Sequence, residues 1–139
     1  DYHVVVSGHS LGGALSTLAG LDLGCGHPFN TNKVNIVNFG SPRLGDTTFA
    51  SLFKTAFAQN ISLARFTHWR DIVPHLPPEW LNYHHGSIEY FLHESWQPNC
   101  TIVECNGSGE DKLCSDQFDV YDVNDHLHYV GVHQGHDAC

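Results

Sequence analysis

A serine early in the sequence stands in a setting that suits nucleophilic chemistry. Gly8, Ser10 and Gly12 fill the pattern G-x-S-x-G, which follows the apolar run Val4-Val5-Val6 and opens an apolar, small-residue stretch. This order predicts a strand, a sharp turn and a helix, with the serine hydroxyl held above the end of a sheet. We expect glycine at both flanking positions because a side chain there would clash with the strand or the helix. The pattern therefore favours a serine nucleophile.

The same turn has a second interpretation, as a glycine-rich phosphate loop or a plain connection between strand and helix. A phosphate loop places a lysine directly after its glycines. No lysine follows Gly12 and Gly13. The nucleophile is therefore the stronger interpretation.

The acid and the base that such a serine needs must come from later in the chain. A serine hydroxyl becomes a good nucleophile only when a nearby base accepts its proton and a third group orients that base. In this architecture the nucleophile, the acid and the base follow one another along the sequence. Asp71 lies just after a predicted strand and is the candidate acid. The candidate bases are four late histidines: His126, His128, His133 and His136.

The late histidines could instead bind a metal, because closely spaced imidazoles are common ligands of zinc and copper. His126-x-His128 followed by His133 and His136 has such a spacing. A serine nucleophile on a turn has no use for that ion, so we expect no metal.

Two earlier histidine positions are expected to lie outside the chemistry. His9 stands beside the serine and is expected to be a packed, hydrogen-bonded neighbour rather than a second base. The pair His84-His85 precedes Gly86 and is expected in a surface loop.

The elements around these residues alternate between helix and strand. The segment from Leu11 to Leu23 predicts a helix that is apolar over most of its surface and therefore buried against a sheet. Residues 34–39 and 61–66 predict strands. Between them Asp46 suits the N-cap of a second helix, whose apolar face would comprise Phe49, Leu52, Phe53, Ala56 and Phe57.

This alternation predicts right-handed crossovers between parallel strands, with ligands bound at the carboxyl ends of the strands. Ser10 and Asp71 would then lie at the same edge of the sheet. Residues 88–93 and 101–105 indicate two further short strands. The predicted fold class is α/β, with a mostly parallel sheet and flanking helices.

The composition excludes some classes of partner. The sequence has 6 basic and 15 acidic residues, a formal charge of −9, and no block of Lys or Arg. This balance disfavours nucleic acid and anionic membrane surfaces. The apolar runs are only a few residues long, whereas a membrane span needs about 20. With 139 residues, 41% of them hydrophobic, we expect a single globular domain.

Cysteines and acceptor triplets together indicate secretion. The five cysteines form an odd set, and N-x-S/T triplets begin at Asn60, Asn99 and Asn106. Buried thiols and chance triplets are the alternative explanation. Met is absent and Asp1 directly precedes a strand, so we expect the chain to be part of a longer protein.

Four motifs together resemble the filamentous-fungal class 3 lipase family. They are Gly8–Leu15, Phe39–Gly45, Arg70–Pro78, and the group Asp125, His126, Leu127, Tyr129 and Gly131. The resemblance implies an α/β-hydrolase fold, of which residues 1–139 would be the C-terminal part of a single domain. The upstream strands, a helical lid and one oxyanion loop would be missing. It also implies secretion, no cofactor, and hydrolysis of carboxylic esters, chiefly triacylglycerols at an oil–water interface.

The resemblance also assigns roles to single residues. Ser10 becomes the nucleophile, Asp71 the acid and His126 the base, and the backbone N–H of Leu11 one oxyanion donor. Four apolar residues beside these could line an acyl groove or simply pack in the core: Ile72, Val73, Leu76 and Leu127. A feruloyl or short-chain esterase of the same fold is an alternative. A non-catalytic binding module is a further alternative, but the presence of a residue for each of the three triad roles disfavours it.

Two expectations concern cysteines and the first strand. We predict a disulfide between Cys105 and Cys114, which would close a polar loop. We expect Cys139 to pair with a cysteine upstream of the printed sequence, and Cys25 and Cys100 have no assigned partner. The strand Val4-Val5-Val6 would form an exposed apolar edge without upstream strands, so the isolated chain is expected to associate or precipitate.

Overall fold

The computed structural model describes residues 3–25, 34–93 and 101–135. Its helices and strands are β1 Val4–His9, α1 Leu11–Cys25, β2 Val34–Phe39, α2 Thr47–Asn60, β3 Ile61–His68, β4 Glu89–Leu92, β5 Ile102–Glu104, α3 Val123–His126, β6 His128–Tyr129 and β7 Val132–His133. The predictions made for Asn99, Cys100, His136 and Cys139 lie outside the described residues, as do those for the side chains of Cys25, Ala56, Phe57 and Asn60.

The main sheet has the strand order β1-β2-β3-β4-β5. The first four strands are parallel, and β5 runs antiparallel to β4. The register sets Val6 beside Ile36 and Ile36 beside Leu63, so the carboxyl ends of β1, β2 and β3 meet at one edge. The predicted α/β class with a mostly parallel sheet is confirmed. β6 and β7 form a separate antiparallel hairpin.

Helix α1 packs on one face of this sheet, above a core of Val34, Ile36 and Ile61. Small side chains occupy the packed side of the helix, and Thr17 there accepts a hydrogen bond from Asn38 of β2. The predicted packing of α1 against a sheet is confirmed. Because the sheet covers only one side of the helix, its outward side chains are exposed, namely Leu11, Leu15 and Leu18.

Helix α2 begins as predicted. The Asp46 side chain accepts a hydrogen bond from the Phe49 backbone N–H at 2.8 Å, which caps the first turn. Phe53 is buried, but Leu52, predicted on the same face, is exposed because it lies on the solvent side of the helix. Among the described residues, no helix has both the length and the apolar character that crossing a membrane requires.

A charged clamp joins the loops on the edge of the sheet. The Arg43 guanidinium donates to both carboxylate oxygens of Glu110, at 2.8 and 2.6 Å. Its third nitrogen donates to the backbone carbonyls of His75 and Pro77. Because a guanidinium is planar, a bidentate pair with a carboxylate fixes both the distance between the two groups and their relative orientation. The clamp therefore fixes the loop that follows β3 against the loop that contains Glu110.

A second, fully buried charged group anchors the same loop to the sheet. Glu89 of β4 accepts hydrogen bonds from the Thr67 hydroxyl at 2.6 Å and from the Ser115 backbone N–H at 3.1 Å. Arg65 of β3 lies 3.5 Å from the Glu89 carboxylate and donates to the Gly109 carbonyl at 2.7 Å. The Gly109–Ser115 segment is thus tied to the two central strands through buried polar groups.

The loop between β5 and Ser115 carries the disulfide of the structure, which links Cys105 and Cys114. His85 packs against this loop, and the prediction that it lies in a surface loop is wrong. Its backbone N–H donates to Glu110 at 2.9 Å, and its Nε2 bonds to the Pro74 carbonyl at 2.8 Å. These two bonds draw the side chain inward.

Two buried histidines on this side of the molecule make its stability sensitive to acid. Burial lowers the pKa of His85 well below its ordinary value, and the cations of Arg65 and Arg43 act in the same direction. Burial likewise lowers the pKa of His75. Both imidazoles are therefore neutral in the folded state at a pH where the unfolded chain binds protons.

We expect the free energy of unfolding of the full-length protein to fall as the pH is lowered from about 7.5 to about 5.5. The unfolded histidines, with a pKa of about 6.5, take up protons that the folded state excludes, at up to about 1.4 kcal/mol per pH unit each. Urea denaturation measures this dependence. His85→Leu should flatten it, and the exposed control His3→Gln should not. A stability that rises on acidification across this range would contradict the account.

Candidate active site

Ser10 sits on a sharp turn between β1 and α1. Its φ is +57°, and its backbone N–H donates to the Phe39 carbonyl at the end of β2. A Cβ on Gly8 would lie 2.1 Å from the Gly12 carbonyl oxygen, so strand and helix can approach only because residue 8 is glycine. The strand, turn and helix predicted around the serine are present.

The expectation for Gly12 itself is wrong. A Cβ built at this position meets no atom of the described residues within 4 Å. The close contact between the two motif glycines arises because the Cβ direction of Gly8 points at the backbone of Gly12, whereas that of Gly12 points into open space. Of the two motif glycines, Gly8 is therefore the one at which described atoms exclude a side chain.

Three side chains form an unbroken chain of hydrogen bonds at the edge of the sheet. The distance from Ser10 Oγ to His126 Nε2 is 2.8 Å, and the distance from His126 Nδ1 to Asp71 Oδ2 is 2.9 Å. A carboxylate can only accept, so Nδ1 carries the proton and Nε2 is left to accept the serine hydroxyl. The structure thus brings together the three residues to which the sequence pointed.

Each member of this group comes from a different element. Ser10 follows β1, and Asp71 lies three residues after β3, where its backbone N–H donates to the His68 carbonyl. His126 is the last residue of α3, whose N-cap Asp122 accepts a hydrogen bond from the Asn124 N–H. Asp125 does not orient the base, since its carboxylate accepts the Arg70 N–H.

The Asp71 carboxylate is 1% exposed, and donors surround it. Oδ1 accepts the Val73 backbone N–H at 2.8 Å, and Oδ2 accepts the Tyr129 hydroxyl at 2.5 Å besides the bond from His126. Burial raises the pKa of Tyr129 well above its ordinary value, and the nearby Asp71 raises it further. The phenol therefore keeps its proton and remains a donor. Sequence reasoning missed this role, although Tyr129 follows His126 by three residues in the quoted motif.

Gly40, at the end of β2, lies against the meeting point of these groups. It has a φ of +56°. A Cβ here would come within 2.7 Å of Asp71 Oδ2, 2.9 Å of the Tyr129 hydroxyl oxygen and 3.0 Å of His126 Nδ1. Sequence reasoning took Gly40 only as part of a turn, because nothing in the local pattern indicates what lies across from it.

The other late histidines point elsewhere. His128 Nδ1 bonds to the Asn124 carbonyl at 2.8 Å, and its ring packs edge-on against His133. Of the described candidates only His126 contacts Ser10 and Asp71. Within the described part of the chain, the His/Cys/Asp/Glu groups close enough to share an ion contain neither His126 nor His128 nor His133.

Leu11 and the four predicted groove residues lie near this chain of bonds. Leu11 begins α1, so its backbone N–H is among the first four of the helix and has no intrahelical acceptor. Leu76 is exposed, and the other three side chains are half-buried, namely Ile72, Val73 and Leu127. A cavity of about 440 Å³ opens in another place, between Leu63 and Tyr90, and none of the four lines it. Their role in acyl binding stays a prediction.

The arrangement is chemically suited to acyl transfer. A neutral imidazole can accept the serine proton while the buried carboxylate holds its tautomer and stabilises the imidazolium that results. Helix α1 begins at Leu11, directly after the serine, and the Leu11 N–H, which has no intrahelical acceptor, is suited to donate to a negative charge that develops there. The fold and these three linked side chains together define the architecture of a serine hydrolase of the α/β class.

Comparison with known proteins gives the family. A sequence model described as Lipase (class 3) matches residues 1–80. The lipase of Rhizopus oryzae is 37% identical over 136 residues, which are 96% of this chain and 33% of that protein. The secreted mono- and diacylglycerol lipase A of Penicillium camembertii is 42% identical over 93 residues, which are 66% of this chain and 28% of that protein.

A solved structure agrees with the sequence matches. A triacylglycerol lipase whose catalytic centre is formed by a serine protease triad superposes with a TM-score of 0.83 at 34% identity, covering 97% of this chain and 50% of that one. The chain belongs to the class 3 lipase family. It spans about a third of the length of the curated relatives it matches.

We expect Gly40→Ala to lower kcat by about 100-fold, because the new methyl group displaces Asp71 or His126 by a fraction of an ångström to an ångström. Ester hydrolysis by the full-length protein measures the loss. The matched control is Gly107→Ala, which imposes similar backbone strain at a φ of +77° but meets only Ile88, at 3.7 Å. Equal kcat values for the two variants would contradict the placement of Gly40.

Proposed function

We propose that the protein is a serine-dependent carboxylic ester hydrolase that acts chiefly on triacylglycerols, with Ser10, His126 and Asp71 as its catalytic triad. The observation that carries the proposal is the unbroken hydrogen-bond chain from the Ser10 hydroxyl to the buried Asp71 carboxylate. Related lipases support it, one of them a triacylglycerol lipase with a serine protease triad.

In the first half of the reaction, Ser10 is acylated. His126 Nε2 accepts the Ser10 proton while Oγ attacks the acyl carbon of the ester, and the carbonyl oxygen becomes negatively charged. The Leu11 backbone N–H donates to this oxyanion. When the tetrahedral intermediate collapses, the bond to the alcohol oxygen breaks, and His126 gives its proton to the departing alcohol.

In the second half, water releases the acyl group. His126 Nε2 now accepts a proton from a water molecule, whose oxygen attacks the acyl carbon of the acyl-serine. Collapse breaks the bond to Oγ, returns the proton to Ser10 and releases the carboxylic acid. Throughout, Asp71 holds the Nδ1 proton in place, with Tyr129 and Val73 as its other donors.

The acyl part of the substrate would bind on apolar side chains beside the nucleophile. The Leu11 side chain is 67% exposed directly after Ser10, and Leu76 is 45% exposed in the loop that follows Asp71. An alkyl chain gains free energy by covering such surface. The proposed acyl-binding surface comprises these two residues together with Ile72, Val73 and Leu127.

The activity is proposed for a longer, secreted protein in which this chain is the C-terminal, triad-bearing part of a single hydrolase domain. The solved triacylglycerol lipase is about twice as long as the stretch that matches it. The relative from Penicillium camembertii is named as secreted, and the disulfide between Cys105 and Cys114 suits an oxidising compartment.

We expect the full-length protein to hydrolyse emulsified triacylglycerols, with a rate that rises once the substrate exceeds its solubility and forms an interface. Titration of the released fatty acid measures it. Methyl hydroxycinnamates, which are soluble, serve as the comparison. Equal or higher rates on these soluble esters would indicate a feruloyl or short-chain esterase instead of a lipase. No hydrolysis of either substrate would favour a non-catalytic binding module.

We expect Ser10→Ala and His126→Ala each to lower kcat by up to about 10⁶-fold, and the double variant to be scarcely worse, because nucleophile and base act as one unit. Asp71→Asn should lower kcat on the order of 10⁴-fold, because the His126 imidazole would then adopt the wrong tautomer. The control His128→Ala should stay within about tenfold of wild type. An inactive His128→Ala beside an active His126→Ala, both folded by circular dichroism, would refute the assignment of the base.

A further inference from the structure

Two imidazoles outside the triad hold the backbone that carries the base. His9 Nε2 lies 2.8 Å from the carbonyl oxygen of His126, and His68 Nδ1 lies 2.9 Å from the carbonyl oxygen of Asp125. A carbonyl can only accept, so each ring donates an N–H at the named nitrogen. Among the described residues, His68 Nε2 has no hydrogen-bond partner, so the bond to Asp125 is the polar contact that this buried ring makes.

These two carbonyls need donors because of where they stand. Helix α3 has four residues and ends at His126. The last carbonyls of a helix have no intrahelical N–H partner. The Leu127 N–H reaches the carbonyls of Asn124 and Asp125, and the His126 carbonyl faces the His9 ring instead. The two imidazoles thus add side-chain donors to the last two carbonyls of this short helix.

The two donors are attached to the strands that carry the rest of the triad. His9 is the last residue of β1 and directly precedes Ser10. His68 is the last residue of β3, three residues before Asp71. Both strands pair with β2, so the sheet fixes the two imidazoles relative to each other. The turn that presents His126 is thus held from the same strand ends that present the nucleophile and the acid.

Ring contacts add to the hydrogen bonds. The His9 ring stacks on the ring of His126, with 4.5 Å between centroids and 30° between planes. Burial lowers the pKa of His9, although its bond to the His126 carbonyl acts in the opposite direction. A neutral His9 ring can face the imidazolium that forms on His126 without placing two cations in contact. The His68 ring meets the edge of Tyr129, with 5.7 Å between centroids.

We propose that His9 and His68 are positioning residues, which set the place of His126 between Ser10 and Asp71 by donating N–H groups to the carbonyls of residues 126 and 125. The inference rests on the proposed function and adds a requirement to it: the hydrogen-bond donors, and not merely the volume of the rings, determine turnover. The hydrogen bonds of both residues go to backbone carbonyls and not to the side chains of Ser10, Asp71 or His126.

The test uses pairs of variants of the full-length protein that separate donor from volume. His9→Gln places an amide N–H where Nε2 lies, whereas His9→Phe keeps a stacked ring without a donor. His68→Asn places an amide N–H where Nδ1 lies, whereas His68→Leu keeps apolar volume. The matched control is Gln117→Leu, which removes an equally short bond from a side-chain N–H to a backbone carbonyl, that of Cys114 at 2.8 Å, outside the loop that carries Asp71.

We expect His9→Phe and His68→Leu to lower kcat by about 10- to 100-fold with KM within about threefold of wild type, since displacing the base by up to an ångström slows the chemistry without altering substrate binding. The amide variants should recover kcat to within about fivefold of wild type. Gln117→Leu should keep its kcat. A donor-free variant that keeps its kcat, or an amide variant no better than its donor-free partner, would overturn the inference.

A second measurement does not depend on turnover. The proton on His126 Nδ1, shared with a buried carboxylate, should give a separate low-field resonance in the NMR spectrum of the wild-type protein. His9→Phe should shift or broaden it, and His9→Gln should restore it; unchanged spectra in both would overturn the inference even if His68→Leu does not fold. The proposed function fails separately, if wild-type protein and Ser10→Ala hydrolyse esters equally slowly while this resonance behaves as expected.

Discussion

The carboxylate of Asp71 is the point on which the rest of the site depends. A carboxylate removed from water is costly unless donors replace its solvent shell, and here the replacements are the groups that complete the site. Oδ2 accepts hydrogen bonds from His126 Nδ1 and from the Tyr129 hydroxyl, and Oδ1 accepts one from the Val73 N–H. The same bonds that satisfy the buried charge thereby fix the tautomer and direction of the base. Gly40 leaves the space in which these groups can converge.

That convergence requires loops from distant parts of the chain to be held still. Arg43 binds the carbonyls of His75 and Pro77 with one nitrogen and the Glu110 carboxylate with two others. Glu110 belongs to the loop closed by the disulfide between Cys105 and Cys114. In a chain with a formal charge of −9, this guanidinium neutralises a carboxylate and orders the loop that begins at Asp71. An ion pair that contacts no triad member thus connects the loop after Asp71 to the disulfide-closed loop.

Sequence reasoning predicted what depends on local pattern. Hydrophobic spacing predicted β2 and α2, and Asp46 predicted where α2 begins. The glycine motif predicted the turn that carries Ser10. Backbone propensity and periodicity decide these features, and both can be read from the local sequence. The choice of His126 among four histidines came from the family resemblance. Tyr129, Gly40, His9 and the partners of Arg43 acquire their roles across separations of 31 residues or more, and no local pattern encodes such contacts. The expectation for Gly12 failed because the sequence does not state which side of an element another element covers.

The central claim is that His126 and Asp71 activate Ser10, and its most direct test is covalent. The full-length protein is incubated with a long-chain p-nitrophenyl alkylphosphonate, which traps an activated serine and releases p-nitrophenol. The account predicts one equivalent of p-nitrophenol, a single phosphonyl group on the peptide that contains Ser10, and a rate at least about 1,000-fold slower in His126→Ala. Labelling of another residue, or an equal labelling rate at Ser10 without His126, would contradict it.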